Sequence, residues 1–367
     1  MFLVGTLGDT LVSIPALRVV RGHYNSGYRI TLMHETHDGI SYGPQDVLKQ
    51  QELVDDVVSY RCPITRCQRL LTGIRTASRL RALKCDVVIY LIGGAYRTRI
   101  RVARDKIFFG LGGARRFHCF HPLDTNTAYP RDEAGRPKPV KQEAEYLLGL
   151  LSSAGFDTSS EIGLRVPNLK VPEENEREAE EWLRANKWTA GRDFIGICPG
   201  SKKQVCRWPV ERFEELARRV VEKYRVGVVL VGGPGESEFG ARVARAAGAG
   251  LNACGALSVL GSAALLRRCK CMVGLDTGTA HLAAAVGTRC VLLFSAHNWP
   301  GRWEPLGSAH IVIRRLVPCE GCRRVQCNVL GHPCMTGISV DAAWREVEAV
   351  CAEERCARAW DSVVRRD

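Results

Sequence analysis

What most limits the fold of this chain is an alternation that runs through it twice. Short β-branched and aliphatic runs are each followed by a longer amphipathic stretch. A strand buried on both faces reads as a short apolar run, and the helix crossing to the next parallel strand reads with a 3.6-residue period. The pattern predicts an α/β fold of parallel sheets covered by helices. In the first half, strands are expected at Phe2–Val4, Arg29–Met33 and Cys85–Leu91. Helices are expected at Thr10–Arg21, at Lys141–Ala154 and in the basic segments between and after the strands.

A connector at 155–172, punctuated by Gly, Pro, Ser and Asn, breaks the pattern. The alternation then restarts, with strands at Phe194–Cys198, Val226–Val231, Met272–Leu275 and Cys290–Phe294. Helices are expected at Glu173–Lys187, Val210–Tyr224, Ser237–Ala247 and Leu257–Cys269, then up to Val286, and finally at Val340–Ala359. A chain of 367 residues exceeds one ordinary core. Two doubly wound, Rossmann-like domains, 1–160 and 173–338, account for it better than one large sheet. Ligands of such sheets bind at the carboxyl ends of the strands, and two facing sheets would form a cleft.

Composition narrows the class. With 46% hydrophobic and 25% charged residues the chain is globular. No run of 18 apolar residues occurs, and the first residues lack the basic flank and small-residue cleavage site of a signal peptide. A cytoplasmic location is expected. The 16 cysteines are then reduced rather than a disulfide framework, and those in apolar stretches, such as Cys85, Cys198 and Cys290, act as small hydrophobes. Net charge is +13, and residues 61–116 hold fourteen Lys and Arg against Asp86 and Asp105. Such a field draws phosphates, on a membrane surface or an anionic acceptor, although a solvated helical face would also account for it. No nucleic-acid module is recognised, so nucleic acid is not expected as a partner.

Four loops carry the chemistry. Gly5, Gly8 and Asp9 form G-T-L-G-D between a strand stub and a helix, where free N–H groups face outward and Asp9 can cap the helix with one carboxylate oxygen without being barred from catalysis. Cys198–Pro209 ends in Arg-Trp-Pro and offers Ser201, Lys202, Lys203 and Arg207 as phosphate donors. In Val231–Glu236, G-G-P-G-E places a carboxylate, Glu236, where a ribose hydroxyl can donate. In D-T-G-T-A-H, Asp276 precedes Thr277, Gly278, Thr279 and Ala280, whose N–H groups open a helix toward a diphosphate, with His281 as a further donor.

In this order and spacing the motifs resemble those of glycosyltransferase family nine, the ADP-heptose:lipopolysaccharide heptosyltransferases. The match includes Gly5, Gly8, Asp9 and Pro15, the Arg-Trp-Pro loop, the G-G-x-x-E turn and the Asp-Thr-Gly-x-x-His signature. The resemblance implies a GT-B fold, with the acceptor bound by the first domain and a nucleotide sugar, best guessed as ADP-heptose, by the second. It implies Asp9 as general base, Ser201 and Lys202 at the donor phosphates, Glu236 on the ribose, Leu257 on the base and 277–281 on the diphosphate. A C-terminal helix, 339–367, would pack back on the first domain. The acceptor would be a lipopolysaccharide core or another anionic glycan, reached at the inner face of the cytoplasmic membrane.

Two departures stand out. Cys206 occupies the position where the family often carries Lys, and Ser295-Ala296-His297-Asn298-Trp299 replaces a usual Gly-Pro-Thr. Catalysis of this type needs no cofactor. The tail set Cys319, Cys322, Cys327 and Cys334 fits either a structural zinc or reduced thiols. A sugar-nucleotide epimerase and a catalytically inactive nucleotide-sugar binder are the rival readings.

Overall fold

The computed structural model describes residues 1–25, 27–36, 42–61, 76–93, 97–123, 128–161, 168–188, 193–248, 250–307 and 309–364. The chain divides into two units, Met1–Arg165 and Val166–Asp367.

In the first unit, β1 (Phe2–Val4), β2 (Thr31–Thr36) and β3 (Asp56–Arg61) form a parallel sheet in that order. A second parallel pair, β4 (Val87–Ile89) and β5 (Arg116–His118), lies on the other side of β1 through a bridge between Phe2 and Tyr90. The Leu91 N–H donates to the Phe2 carbonyl at 2.9 Å and closes that seam. The chain thus leaves β1 in both directions, so the β1 loop sits where the strand order reverses. Helices among the described residues of this unit include α1 (Leu7–His23), α2 (Arg99–Leu111) and α3 (Glu143–Ser153), and residues 76–82 are helical as well. Phe2 joins α2 to the sheet, with its ring 5.1 Å from Phe109 of α2 and 5.7 Å from Tyr90.

The second unit is one parallel sheet ordered β11-β10-β9-β6-β7-β8. Its strands are β6 (Phe194–Cys198), β7 (Gly227–Leu230), β8 (Gly250–Asn252), β9 (Met272–Leu275), β10 (Cys290–Phe294) and β11 (Ile311–Arg314). Four of them, β6, β7, β9 and β10, are buried along their whole length, as helix layers on both faces require. The helices are α4 (Glu173–Ala185), α5 (Val210–Tyr224), α6 (Ser237–Ala247), α7 (Val259–Arg267), α8 (Gly278–Ala285), α9 (Pro333–Thr336) and α10 (Val340–Val364). In α5 the buried set Phe213, Leu216, Ala217 and Val220 has the i, i+3, i+4, i+7 spacing of one face. Burying each large apolar side chain contributes about 1.5–3 kcal/mol.

The short edge strands depart from expectation. β3, β5, β8 and β11 were not anticipated, because three or four residues, or the mixed set Asp-Val-Val-Ser-Tyr-Arg, carry little periodicity. β5 and β3 fall where basic or irregular sequence suggested helix or loop. Up to Cys351, α10 packs on α5, β10 and β11 of its own unit. The expected return to the first domain falls on later side chains, outside the described ones. Among the described residues no helix is long and apolar enough to cross a membrane.

Candidate functional site

In the second unit the strand order reverses between β6 and β9. From β6 the chain proceeds to β7 and β8 on one side, then returns to β9, β10 and β11 on the other. The loops leaving β6 and β9 therefore diverge and open a crevice at the carboxyl end of the sheet. Both loops carry predicted site residues, 199–209 after β6 and 276–281 after β9.

Each loop is fixed from below. Trp208 is buried, packs edge-on against Phe213 with centroids 4.8 Å apart, and donates its indole N–H to the Ile338 carbonyl at 3.0 Å. Arg207 folds inward, donating to the Ser201 carbonyl at 2.8 Å and lying 5.5 Å over the Phe239 ring. It shapes the loop, whereas Lys202 and Lys203 remain exposed at its crest and Ser201 is buried.

Glu236 ends the β7 loop and lies against two glycines. A Cβ at Gly200 would come within 2.5 Å of the Glu236 carboxyl carbon, and one at Gly232 within 2.4 Å of Oε2. Both positions must lack a side chain for the carboxylate to lie there. Oε2 accepts from the Gly233 N–H at 2.8 Å. Burial raises the Glu236 pKa, and the Gly233 N–H, Lys202 and Arg207 offset part of that rise. Leu257, further along this side of the sheet, is buried.

After β9, Thr277 takes the extended N-cap conformation of α8. The N–H groups of Gly278 and Thr279 fall in the first turn, where a helix offers them no acceptor. The Thr277 hydroxyl is buried and makes no hydrogen bond among the described residues. Ala280 and His281 are buried, and the His281 ring lies edge-on to Trp303 with centroids 6.4 Å apart. Burial, then the nearby His310, lowers the His281 pKa to about 4, so it is a neutral imidazole at physiological pH. Asp276 accepts from the Asn298 amide at 3.2 Å.

The β10 loop completes the crevice with residues that the sequence marked only as departures. The Ser295 hydroxyl donates to Cys206 Sγ at 3.5 Å and accepts from the His297 N–H at 3.3 Å. Lys203 Nζ lies 3.0 Å from His297 Nε2. Burial, then Asp276, pushes the Cys206 thiol up to about 12, so that position carries no charge.

The cysteine-rich tail acts as a strap over these loops. The Val205 N–H donates to the Val325 carbonyl at 3.2 Å, and the Cys327 N–H to Gln204 Oε1 at 2.9 Å. Gly321 and Arg323 donate backbone N–H groups to the Ala296 and His297 carbonyls. Of the two readings of the tail cysteines, structural zinc finds no support: among the described residues no three His, Cys, Asp or Glu side chains gather as metal ligands. The reason is placement. Cys334 points into the hydrophobic core, while Cys319, Cys322 and Cys327 are half-buried, and Cys327 Sγ faces the Val329 carbonyl at 3.7 Å. The four thiols are still close enough for the other three to raise the Cys334 pKa, after burial as the first cause.

In the first unit, Asp9 does perform the capping role. Its Oδ2 accepts from the Thr6 N–H at 2.7 Å and the Thr6 hydroxyl at 3.2 Å. Gly5 adopts φ +138°, and a Cβ there would lie 2.1 Å from the Asp9 carboxyl carbon. The carboxylate therefore requires glycine at position 5. Gly8 is buried in the first turn of α1. Buried His34, which the sequence did not single out, holds the Gly5 carbonyl through Nε2 at 2.9 Å.

A parallel sheet covered by helices, with a lysine-bearing loop, a carboxylate and a helix N-terminus at its switch point, defines a doubly wound α/β protein. The particular family follows from comparison: the profile of glycosyltransferase family 9 (heptosyltransferase) matches residues 149–332, and the chain belongs to that family. Lipopolysaccharide heptosyltransferase 2 of Salmonella typhimurium is 27% identical over 197 residues, 51% of this chain and 54% of that protein. The chain thus matches about half the length of that curated relative. The crystal structure of a family 9 glycosyltransferase from Veillonella parvula superposes with a TM-score of 0.71 at 20% identity, covering 96% of this chain and 97% of that one. The E. coli ADP-heptose lipopolysaccharide heptosyltransferase II gives 0.66 at 18% identity, covering 96% and 99%. The fold is GT-B.

Proposed function

We propose that the chain is an inverting glycosyltransferase that moves a sugar, heptose from ADP-heptose as first choice, onto a hydroxyl of a lipopolysaccharide core or similar anionic glycan. The observation that carries the reading is the convergence of loops at the switch point of the second unit. There the buried Thr277 hydroxyl makes no hydrogen bond among the described residues, the N–H groups of Gly278 and Thr279 stand in the first turn of α8, and a diphosphate would satisfy them. Lys202 and Lys203 add charge, Glu236 accepts from the ribose, and Leu257 packs on the base. His281, neutral, serves as a hydrogen-bond partner rather than as a cation. As the leaving diphosphate gains charge, these fixed donors stabilise it without rearranging. No metal or other cofactor enters this reading.

Asp9 of the first unit is the base for the acceptor hydroxyl. Its Oδ2 is engaged by Thr6, which holds the carboxylate in one orientation. General-base assistance accelerates such a step by roughly 10²–10⁴-fold. Asp9→Asn retains an oxygen for the Thr6 N–H but removes the base. The expected result is unchanged ADP affinity with turnover down by about that factor. Wild-type turnover in the variant would remove Asp9 from this role.

The partner surface is proposed to be an anionic membrane at the cytoplasmic face. Helix α2 buries Val102, Asp105 and Phe109 and leaves Ile100, Ile107 and Leu111 outward at 84%, 65% and 60% exposure. Exposed Arg99, Arg104 and Lys106 surround them. Apolar side chains rimmed by cations suit the boundary between lipid headgroups and acyl chains. Part of the basic segment, 62–75, lies outside the described residues, and Arg97 is structural, buried and donating to the Tyr90, Ile92, Cys119 and His121 carbonyls.

A further inference from the structure

We propose that Lys203, positioned by His297, supplies the diphosphate-facing cation that residue 206 cannot supply in this chain. The inference rests on the donor reading above and adds a specific pair of residues to it. The two departures from the family's usual pattern, Cys206 and the 295–299 loop, touch one another here. Cys206 Sγ meets the Ser295 hydroxyl at 3.5 Å, and that hydroxyl accepts from the His297 N–H at 3.3 Å. The His297 ring then meets Lys203 Nζ at 3.0 Å. Lys203 is the residue just before the short helical turn Gln204–Cys206 that carries the thiol. A cation lost at one end of the turn is thus matched by a cation held at the other.

The chemistry of the contact sets the roles. An ammonium has only donors, so His297 Nε2 must present its lone pair and the ring must be neutral, with its proton on Nδ1. The groups facing the ring favour that state. Burial first, then Lys203, with Arg323 and Arg314 adding repulsion against an opposing backbone hydrogen bond at Arg324, lowers the His297 pKa to about 4. The remaining ammonium protons of Lys203 stay available to a ligand, because Lys203 is exposed while His297 is buried. The loop itself is held by the tail, whose Arg323 N–H donates to the His297 carbonyl at 3.0 Å and whose Gly321 N–H donates to the Ala296 carbonyl at 2.7 Å. His297 is accordingly a positioning residue, and Lys203 the residue that touches the donor.

The test compares ADP with AMP by isothermal titration, using the full chain. A cation aimed at the terminal phosphate contributes to ADP and not to AMP. Lys203→Ala should weaken ADP about tenfold or more and leave AMP within about twofold, the scale of one charge-assisted hydrogen bond. His297→Ala should shift ADP in the same direction by a smaller factor, and His297→Gln, which keeps an acceptor, should restore it. The double variant should be no weaker than Lys203→Ala alone, since both changes remove one interaction. Cys206→Lys in the Lys203→Ala background should recover ADP affinity by restoring a cation on the same turn. Equal losses for ADP and AMP, or additive losses in the double variant, would overturn the pairing while leaving the donor reading intact. A wild-type protein that binds neither nucleotide would overturn both.

Discussion

Gly200→Ala separates the fold from the site in a single substitution. The added methyl would lie 2.5 Å from Cγ, Cδ and Oε1 of Glu236. Ordinary contact between such atoms is about 3.5–4.0 Å, so the carboxylate must withdraw by roughly 1 Å. It is the end of a flexible side chain, and Gly200 has no left-handed φ to strain. The cost to the fold is therefore limited to the bond from the Gly233 N–H to Oε2, now 2.8 Å. A hydrogen bond to a charged group contributes about 1.5–3 kcal/mol, and part of it survives a small shift. The nucleotide loses more in relative terms. If Glu236 accepts from the ribose, removing that bond weakens ADP by about 10- to 150-fold. Urea unfolding and ADP titration on the same preparation read the two effects. Unchanged ADP affinity beside a clear loss of stability would refute the role of Glu236, since it would show a carboxylate serving only the loop.

Trp208→Ala should cost about 3–5 kcal/mol in urea unfolding, because it empties a core position and removes the indole donor to the Ile338 carbonyl, which then keeps only Arg212; a loss below 1 kcal/mol would mean that the loop is not anchored there. Burial raises the Glu236 pKa above its ordinary 4.5. Such a group adds stability that is complete below 4.5 and is lost as pH rises through the folded value. Nucleotide binding runs the opposite way, since the ribose needs the carboxylate: ADP affinity should fall as pH drops through a midpoint above 4.5, and a midpoint below it would contradict the assignment. Sedimentation with anionic vesicles should weaken with salt and weaken further in Ile107→Ser; salt-independent binding would remove the α2 surface from the account.

The second unit was the more legible half. Three strands, Phe194–Cys198, Met272–Leu275 and Cys290–Phe294, and two helices, Val210–Tyr224 and Ser237–Ala247, fall at their expected bounds, and the strand expected at Val226–Val231 is one residue shorter at each end. Their burial on both faces writes a continuous apolar run, and the motifs sit on the loops that follow. The first unit was read less well because β3 and β5 end in charged residues and carry mixed faces. For the site, residue types alone named Lys203 and Glu236 as polar loop residues. They did not show that Glu236 rests on Gly200, 36 positions away (236 − 200), or that Arg207 turns inward to the Ser201 carbonyl, since such contacts join separate loops or depend on side-chain direction. His297 appeared only as an oddity in a familiar position. Its meaning lies in a contact with a residue 94 positions away. For the tail cysteines the spacing left shared ligation and reduced thiols both open, and only packing, which puts Cys334 in the core, weighs against the first.

The central claim is acceptor-dependent sugar transfer from a nucleoside-diphosphate sugar. Its most direct test follows ADP release from ADP-heptose, with and without a lipopolysaccharide-core acceptor, while resolving the configuration of the new bond. Release is expected to require acceptor, and the product to carry an inverted anomeric configuration. ADP-heptose bound but never consumed would contradict it in favour of an inactive binder, and an altered nucleotide sugar formed without acceptor would contradict it in favour of an epimerase.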